Sequence, residues 1–329
     1  VSQIDHSGDG DKPNSAFNRI IQMGKILIKI DCRNINKDRG VTPIGDIIAA
    51  VPYVEKYSLD NIHDQIFFET NRNLIGLLSP TYPSVKFIEI GDGSHFNYDK
   101  IIEIEYLDYT SPIQSGFARQ LGYKDPAYIR PRIEIPESES PIKNKYISIG
   151  IQSSSQLKYW NHPSGKRVQP QSPYWNELCG ILRKKGYTPV VVEQFESFGS
   201  PPFRNGIPTK ANKKFGQSLS ESARLIYHSE FYIGLSSGMS WIAHALGKKV
   251  VMISNFTEDW NEFDLSIEDY IRITNKEVCH GCWNKIGEKY LFDEKDWYWC
   301  PEHKGTERQF ECHKSITPEM VINQIQHLL

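Results

Sequence analysis

Apolar residues recur along this chain in short runs, each followed by a stretch with helical spacing. Lys25–Asp31 (KILIKID), Gln65–Glu69 (QIFFE), Val85–Ile90 (VKFIEI) and Ile101–Tyr106 (IIEIEY) read as strands. Between and after them, Gly45–Lys56, Asn71–Leu78 and Pro112–Leu121 read as helices. Short apolar strands alternating with helices predict a parallel sheet covered on both faces. The alternation breaks at Asp125–Lys145, which holds four prolines and the polar run ESESPIKNK. It then restarts with strands at Tyr146–Ile151, Thr188–Glu193, Glu230–Leu235 and Lys249–Ser254. Helices are predicted at Tyr174–Lys185, Ser220–Tyr227 and Met239–Leu246, with a last one after Thr317-Pro318, where threonine can cap and proline suits the first turn. The expected organisation is a loose arm over 1–24, an α/β unit over 25–140 and a second over 141–329. Two doubly wound units with a cleft between them suit a nucleotide-type ligand held at the strand C-termini.

Composition narrows the classes. The 329 residues are 39% hydrophobic and 24% charged, with a formal net charge of −2. That balance supplies no basic surplus for a polyphosphate backbone, so no nucleic-acid partner is expected. No apolar run has the length of a transmembrane span, and the polar stretch Val1–Ser15 lacks the apolar centre of a signal peptide. A cytoplasmic location is the expectation.

Four of the six cysteines then change the picture. Cys279, Cys282, Cys300 and Cys312 follow a C-x2-C-x17-C-x11-C spacing within a segment spanning 276–314. A C-x2-C turn lets two sulfurs reach one ion and two later cysteines complete a tetrahedron, the geometry that zinc or iron takes from thiolates. Two disulfides, or cysteines packed as small apolar residues, are the alternatives. Between Lys276 and Cys312 there are six Lys/Arg (276, 285, 289, 295, 304, 308) and eight Asp/Glu (277, 288, 293, 294, 296, 302, 307, 311). An acidic finger suits a nucleic acid poorly, so a structural clamp, set apart from the chemistry, is the expectation.

Three places carry candidate chemistry. Asp46, at the start of a helix after the first strand, is either a general base for an attacking hydroxyl or a first-turn aspartate meeting free helix N–H groups. The loop after Tyr146–Ile151 runs QSSSQLKYWN. Its hydroxyls (Ser154 among them), Gln156 and Lys158 suit an anion, though a solvated loop would look the same. It is not a P-loop. The turn Gly234–Trp241 (GLSSGMSW) would offer Ser237, Gly238 and unpaired helix N–H groups to a diphosphate, or simply be a tight turn. Asp9-Gly10-Asp11 lies in the loose arm and is set aside. His244, Cys32 and Cys179 are read as packing residues.

Together these segments resemble a family. Ile44–Pro52 (IGDIIAAVP) is similar to the acceptor-domain opening of the heptosyltransferases of glycosyltransferase family nine. QSSSQLKYWN, GLSSGMSW, ISNFTEDWNEF, CHGCWN, WCPEHKGTERQFEC and ITPEMV, in that order, resemble the bacterial autotransporter heptosyltransferases. The resemblance implies a GT-B fold, two Rossmann-like domains facing across a cleft, and inverting, metal-independent transfer of heptose from ADP-heptose to serine hydroxyls of an adhesin-like protein. A glycan acceptor, another nucleotide-sugar, or a non-enzymatic four-cysteine interaction module are the other readings. The resemblance implies Asp46 as base, Lys158 as donor-phosphate lysine, and Ser154, Gln156, Ser237, Gly238 and Trp241 at the donor. It also implies Cys279, Cys282, Cys300 and Cys312 as ligands of a structural iron (zinc being the alternative), with a homo-oligomer possible. The family's N-terminal β-rich domain is expected to be missing here, since 24 residues precede Lys25.

Overall fold

Ile26, Leu27 and Ile28 are buried in the middle of β1 (Lys25–Ile30), as its apolar run requires. The chain continues through α1 (Ile44–Asp60), β2 (Gln65–Thr70), α2 (Arg72–Leu78), β3 (Val85–Glu89), β4 (Lys100–Ile104) and α3 (Ile113–Gln120). The second half runs β5 (Tyr146–Gly150), α4 (Pro173–Lys184), β6 (Thr188–Val191), β7 (Ser197–Phe198), β8 (Asn205–Gly206), β9 (Asn212–Lys213), α5 (Leu219–His228), β10 (Tyr232–Leu235), α6 (Gly238–Ala245), β11 (Val250–Ile253), β12 (Tyr270–Ile273), α7 (Glu311–Lys314) and α8 (Pro318–Ile325). The computed structural model describes residues 23–30, 44–106, 108–153, 156–160, 173–195, 197–198, 205–213, 216–293 and 295–329. The Asp9–Asp11 pair, Cys32 and Ser154 lie outside them.

β7 and β8 pair as an antiparallel ribbon, and the other ten of these strands form two all-parallel sheets, ordered β3-β2-β1-β4 and β12-β11-β10-β5-β6-β9. In each, sequence-adjacent strands wind one way and the chain then crosses to the other side of the first strand. The strand order therefore reverses between β1 and β4, and between β5 and β10. In open α/β sheets ligands settle beyond the strand C-termini at such a reversal. The α/β class and the alternation are as expected. β12 is an addition: Arg272 interrupts its apolar pattern, so the run did not stand out in the sequence.

Two glycines bring the halves together. A Cβ on Gly238, the first residue of α6, would come within 2.7 Å of Ile44 Cβ; one on Gly45 would come within 2.9 Å of Trp241 Cδ1. The N-termini of α1 and α6 therefore touch through bare backbone. One apolar core runs across this contact, joining Ile28, Ile48 and Phe68 of the first sheet layer to Trp241, Met252 and Phe263 of the second.

The proline-rich stretch after α3 has neither helix nor strand, yet it is tightly held. Gln114 Nε2 donates to the carbonyls of Ala49 and Ile129, and Gln114 Oε1 accepts from Ile129 N at 2.6 Å. Tyr128 shares a hydrogen bond with His244 Nε2 at 2.8 Å. Arg130 donates to the His244 carbonyl and pairs with Asp269 at 3.1 Å. Proline excludes regular structure here, and side chains supply the backbone partners in its place.

Candidate active site

Asp46 sits in the first turn of α1 beside the reversal point of the first sheet. It is only partly covered, so a ligand can reach it, yet protein crowds it enough to push its carboxyl up to about 6. Burial is the main cause. The Lys158 ammonium opposes the shift and the Glu262 carboxylate adds to it. Lys158 ends the short 3-10 turn Gln156–Lys158 that follows β5. Burial lowers its pKa, while Glu262 and Asp46 hold it up. Three charged groups from three distant segments thus act on one another at one point. The sequence brought two of them forward and missed Glu262.

Glu262 is buried and fully engaged. Ser236 Oγ donates to it at 2.6 Å, Thr257 Oγ1 at 3.1 Å and Arg272 NH1 at 3.2 Å. Arg272, 3% exposed, also pairs with Asp259 and donates to the Thr257 carbonyl. A buried arginine among carboxylates fixes the loop after β11 in one arrangement, because breaking such a pair strands a charge. Nothing in the spacing of ISNFTEDWNEF singles out Glu262; the missing signal was the buried arginine on the unrecognised strand β12.

The turn after β10 lies at the strand-order reversal of the second sheet, beside the loop after β5. Ser153 Oγ donates to the Ser236 carbonyl at 3.1 Å, tying the loop after β5 to the turn after β10. Ser237 precedes α6 in extended conformation, and its buried hydroxyl makes no hydrogen bond among the described residues. That leaves a hydroxyl and the first N–H groups of α6 beside Gly238, with no Cβ in the way. Trp241 is 3% exposed and packs edge-on against Phe263 at 4.7 Å. Its ring edge also lies against Gly45 of α1, where a Cβ would come within 2.9 Å of Trp241 Cδ1. His244 is buried and stacked on Phe263 at 4.3 Å, a packing residue as read.

The cysteine segment reaches the same cleft. Cys282, Cys300 and Cys312 are buried, Cys279 is half-buried, and none forms a disulfide. Burial pushes the Cys279, Cys282 and Cys312 thiols up, and the neighbouring cysteines push each further, so the four lie within electrostatic reach of one another. Among the described residues, however, no group of three or more His, Cys, Asp or Glu side chains is arranged to hold a metal ion. The four thiols suit a soft metal in donor chemistry, although the side chains are not closed around one. Trp283, next to Cys282, stacks on Tyr106 with ring centroids 5.9 Å apart, and its Nε1 donates to the Tyr106 hydroxyl at 3.0 Å. One side chain of this segment thus comes close to Lys158, whose ammonium lies 5.9 Å from the Trp283 ring centroid.

No family model matches the chain. Among curated proteins it is 33% identical over 301 residues to the autotransporter heptosyltransferase Aah of Escherichia coli, covering 87% of this chain and 71% of that one. A relative from Burkholderia thailandensis, 29% identical over 270 residues (78% of this chain, 59% of that one), is named an inactive autotransporter heptosyltransferase. Of solved structures, the iron-containing dodecameric glycosyltransferase TibC from enterotoxigenic E. coli matches with a TM-score of 0.79 at 28% identity, over 93% of this chain and 76% of that one. TibC is also known in complex with ADP-D-β-D-heptose. The E. coli ADP-heptose lipopolysaccharide heptosyltransferase II matches with a TM-score of 0.58 at 14% identity, over 92% of this chain and 98% of that one, a likeness of fold.

Two parallel α/β sheets meeting at their ligand-binding ends, with these neighbours, define a glycosyltransferase of the GT-B type. Within that class, the chain belongs to the bacterial autotransporter heptosyltransferases.

Proposed function

We propose that this protein transfers heptose from ADP-heptose to a serine hydroxyl of an autotransporter-type protein, with inversion at the anomeric carbon. The observation that carries the reading is the convergence of Asp46 and Lys158 where the two sheets meet. Asp46 accepts the proton of the acceptor hydroxyl while that oxygen bonds to the anomeric carbon. The bond from that carbon to the diphosphate breaks, and ADP leaves with the electron pair. Lys158, the Ser237 hydroxyl and the first amides of α6 meet the charge that develops on it. With those donors fixed, the transfer needs no divalent ion. Ser154 and Gln156, on the same loop as Lys158, belong to the donor side, and Gly238 leaves room for the diphosphate.

The functional division follows the sheets. Residues 25–140 form the acceptor side and 141–329 the donor side, with the cysteine finger over 276–314. Cys279, Cys282, Cys300 and Cys312 would hold one structural ion, iron by analogy with TibC or zinc by ligand type, which would tie the insertion together and supply no step of the transfer. Unbridged thiols fit a reducing cytoplasm. Among the described residues no helix is long and apolar enough to cross a membrane. A homo-oligomer is proposed from the dodecameric TibC.

Incubation with ADP-heptose and a serine-rich autotransporter passenger domain, read by intact mass and by the anomeric coupling of the product, tests the reading. One added heptose with inverted configuration is the expected product. Transfer from a different nucleotide-sugar alone, or to a glycan alone, would replace the donor or acceptor named here.

A further inference from the structure

The cysteine element has an apolar core of its own, and that core holds both sides of the cleft. Leu157, the residue before Lys158, is buried in it with Phe256, Cys282, Trp299 and Cys300, and Tyr109 from the loop after β4 packs against it. The Lys158 ammonium lies 4.7 Å from the Phe256 ring centroid and 5.9 Å from that of Trp283. Trp283 meets Tyr109 edge-on at 5.4 Å in addition to its stack and hydrogen bond with Tyr106. Asn284 continues the bridge: its Nδ2 donates to the Tyr109 carbonyl at 2.7 Å, and its Oδ1 accepts from Glu258 N at 2.7 Å. A single turn of the insertion therefore touches the first-sheet loop, the loop after β11 and the lysine.

We infer that Trp283 is a positioning residue for Lys158: its ring and that of Phe256, packed together with centroids 5.2 Å apart, form one aromatic surface against which the ammonium rests, while its indole N–H locks the insertion to Tyr106 across the cleft. The physical need is clear. Lys158 has a long flexible stem, makes no hydrogen bond or ion pair to a carboxylate among the described residues, and two carboxylates, Asp46 and Glu262, attract it electrostatically. A salt bridge to Asp46 would occupy the proposed base. Two aromatic faces hold a cation without taking a hydrogen-bond acceptor, leaving its three N–H groups for phosphate oxygens. Trp283 half-buried beside Lys158 does this and, through Tyr106, fixes the distance between the donor lysine and the side that carries Asp46.

The inference rests on Lys158 being the donor-phosphate lysine, and a double-mutant cycle separates the two. In the full chain, Trp283→Leu is expected to lower kcat/KM for ADP-heptose and ADP affinity by calorimetry by about tenfold, the scale of a desolvated cation–π contact. Trp283→Phe, which keeps a ring, recovers most of the loss. In a Lys158→Ala background the same Trp283→Leu change should cost less than about threefold, because its effect runs through the lysine. Tyr106→Phe removes one hydroxyl without disturbing packing and should show the same pattern at smaller size, which carries the test if Trp283→Leu fails to fold. Equal losses in both backgrounds, or none in either, overturn the positioning role and leave the donor reading intact. ADP affinity and kcat/KM unaffected by Lys158→Ala overturn both.

Discussion

Asp46 keeps its proton to about pH 6 because burial in the cleft, with a smaller push from the Glu262 carboxylate, outweighs the attraction of Lys158. As a base it works only when ionised, so kcat/KM for transfer should rise as pH increases through about 6 and then level. A profile flat from pH 5 to 8 would count against Asp46 as the base. The same shift has a stability consequence. The unfolded chain releases this proton near 3.8, whereas the folded chain retains it to about 6. Over that window the unfolded state binds fewer protons, so the contribution of Asp46 to stability falls as pH rises and stays lost above it. Asp46→Asn should therefore abolish transfer, leave ADP binding largely intact, and melt no lower than the parent at pH 8, with any advantage fading toward pH 4. Melting curves at the two pH values check this, and a variant clearly less stable at pH 8 would contradict the burial account.

At the scale of elements, the site depends on how closely α1 and α6 approach. A side chain on Gly238 has backbone and the Ile44 side chain where its Cβ must go, neither of which is the free end of a flexible chain. Gly238→Ala should force the helix ends apart, at a cost of about 1–3 kcal/mol typical of overpacking. Because Asp46 directly follows Gly45 at the contact and the turn proposed for the donor lies on it, activity should fall more than stability does. Urea melts set beside kcat would show this, and an unchanged kcat would mean that the contact does not set the catalytic distance. The strap of 125–145 works in the same direction. It contributes no regular structure, yet Gln114, Tyr128 and Arg130 pin it to α1, α3 and α6. Its prolines read in the sequence as a break; its hydrogen bonds lie between residues as far apart as Arg130 and His244 and left no local pattern to find.

For the whole molecule, the apolar core built from the cysteine segment links loops of both sheets to the segment that carries Lys158. Cys300→Ser places a hydroxyl at a buried position among the other thiols. It should lower the melting temperature first, reduce the metal content if the four thiols hold an ion, and reduce transfer by way of Trp283. Elemental analysis and calorimetric melts on parent and variant distinguish these effects. A variant with unchanged stability and full activity would remove the element from both roles.

The sequence by itself determined the α/β alternation, the two strand-end loops with Lys158 and Ser237, the position of Asp46 and the family. Each of these is local: a period of apolar residues, a glycine-containing turn, a cysteine spacing. Only the tertiary structure decided that Glu262 faces Asp46 and Lys158, that Arg272 on β12 is buried to hold it, and that Trp283 crosses the cleft to Tyr106. The first and last of those relations join residues more than a hundred positions apart and the Arg272–Glu262 pair ten, all through packing and burial rather than any repeat along the chain. The two helix ends likewise meet where Gly45 and Gly238 leave no side chain between them.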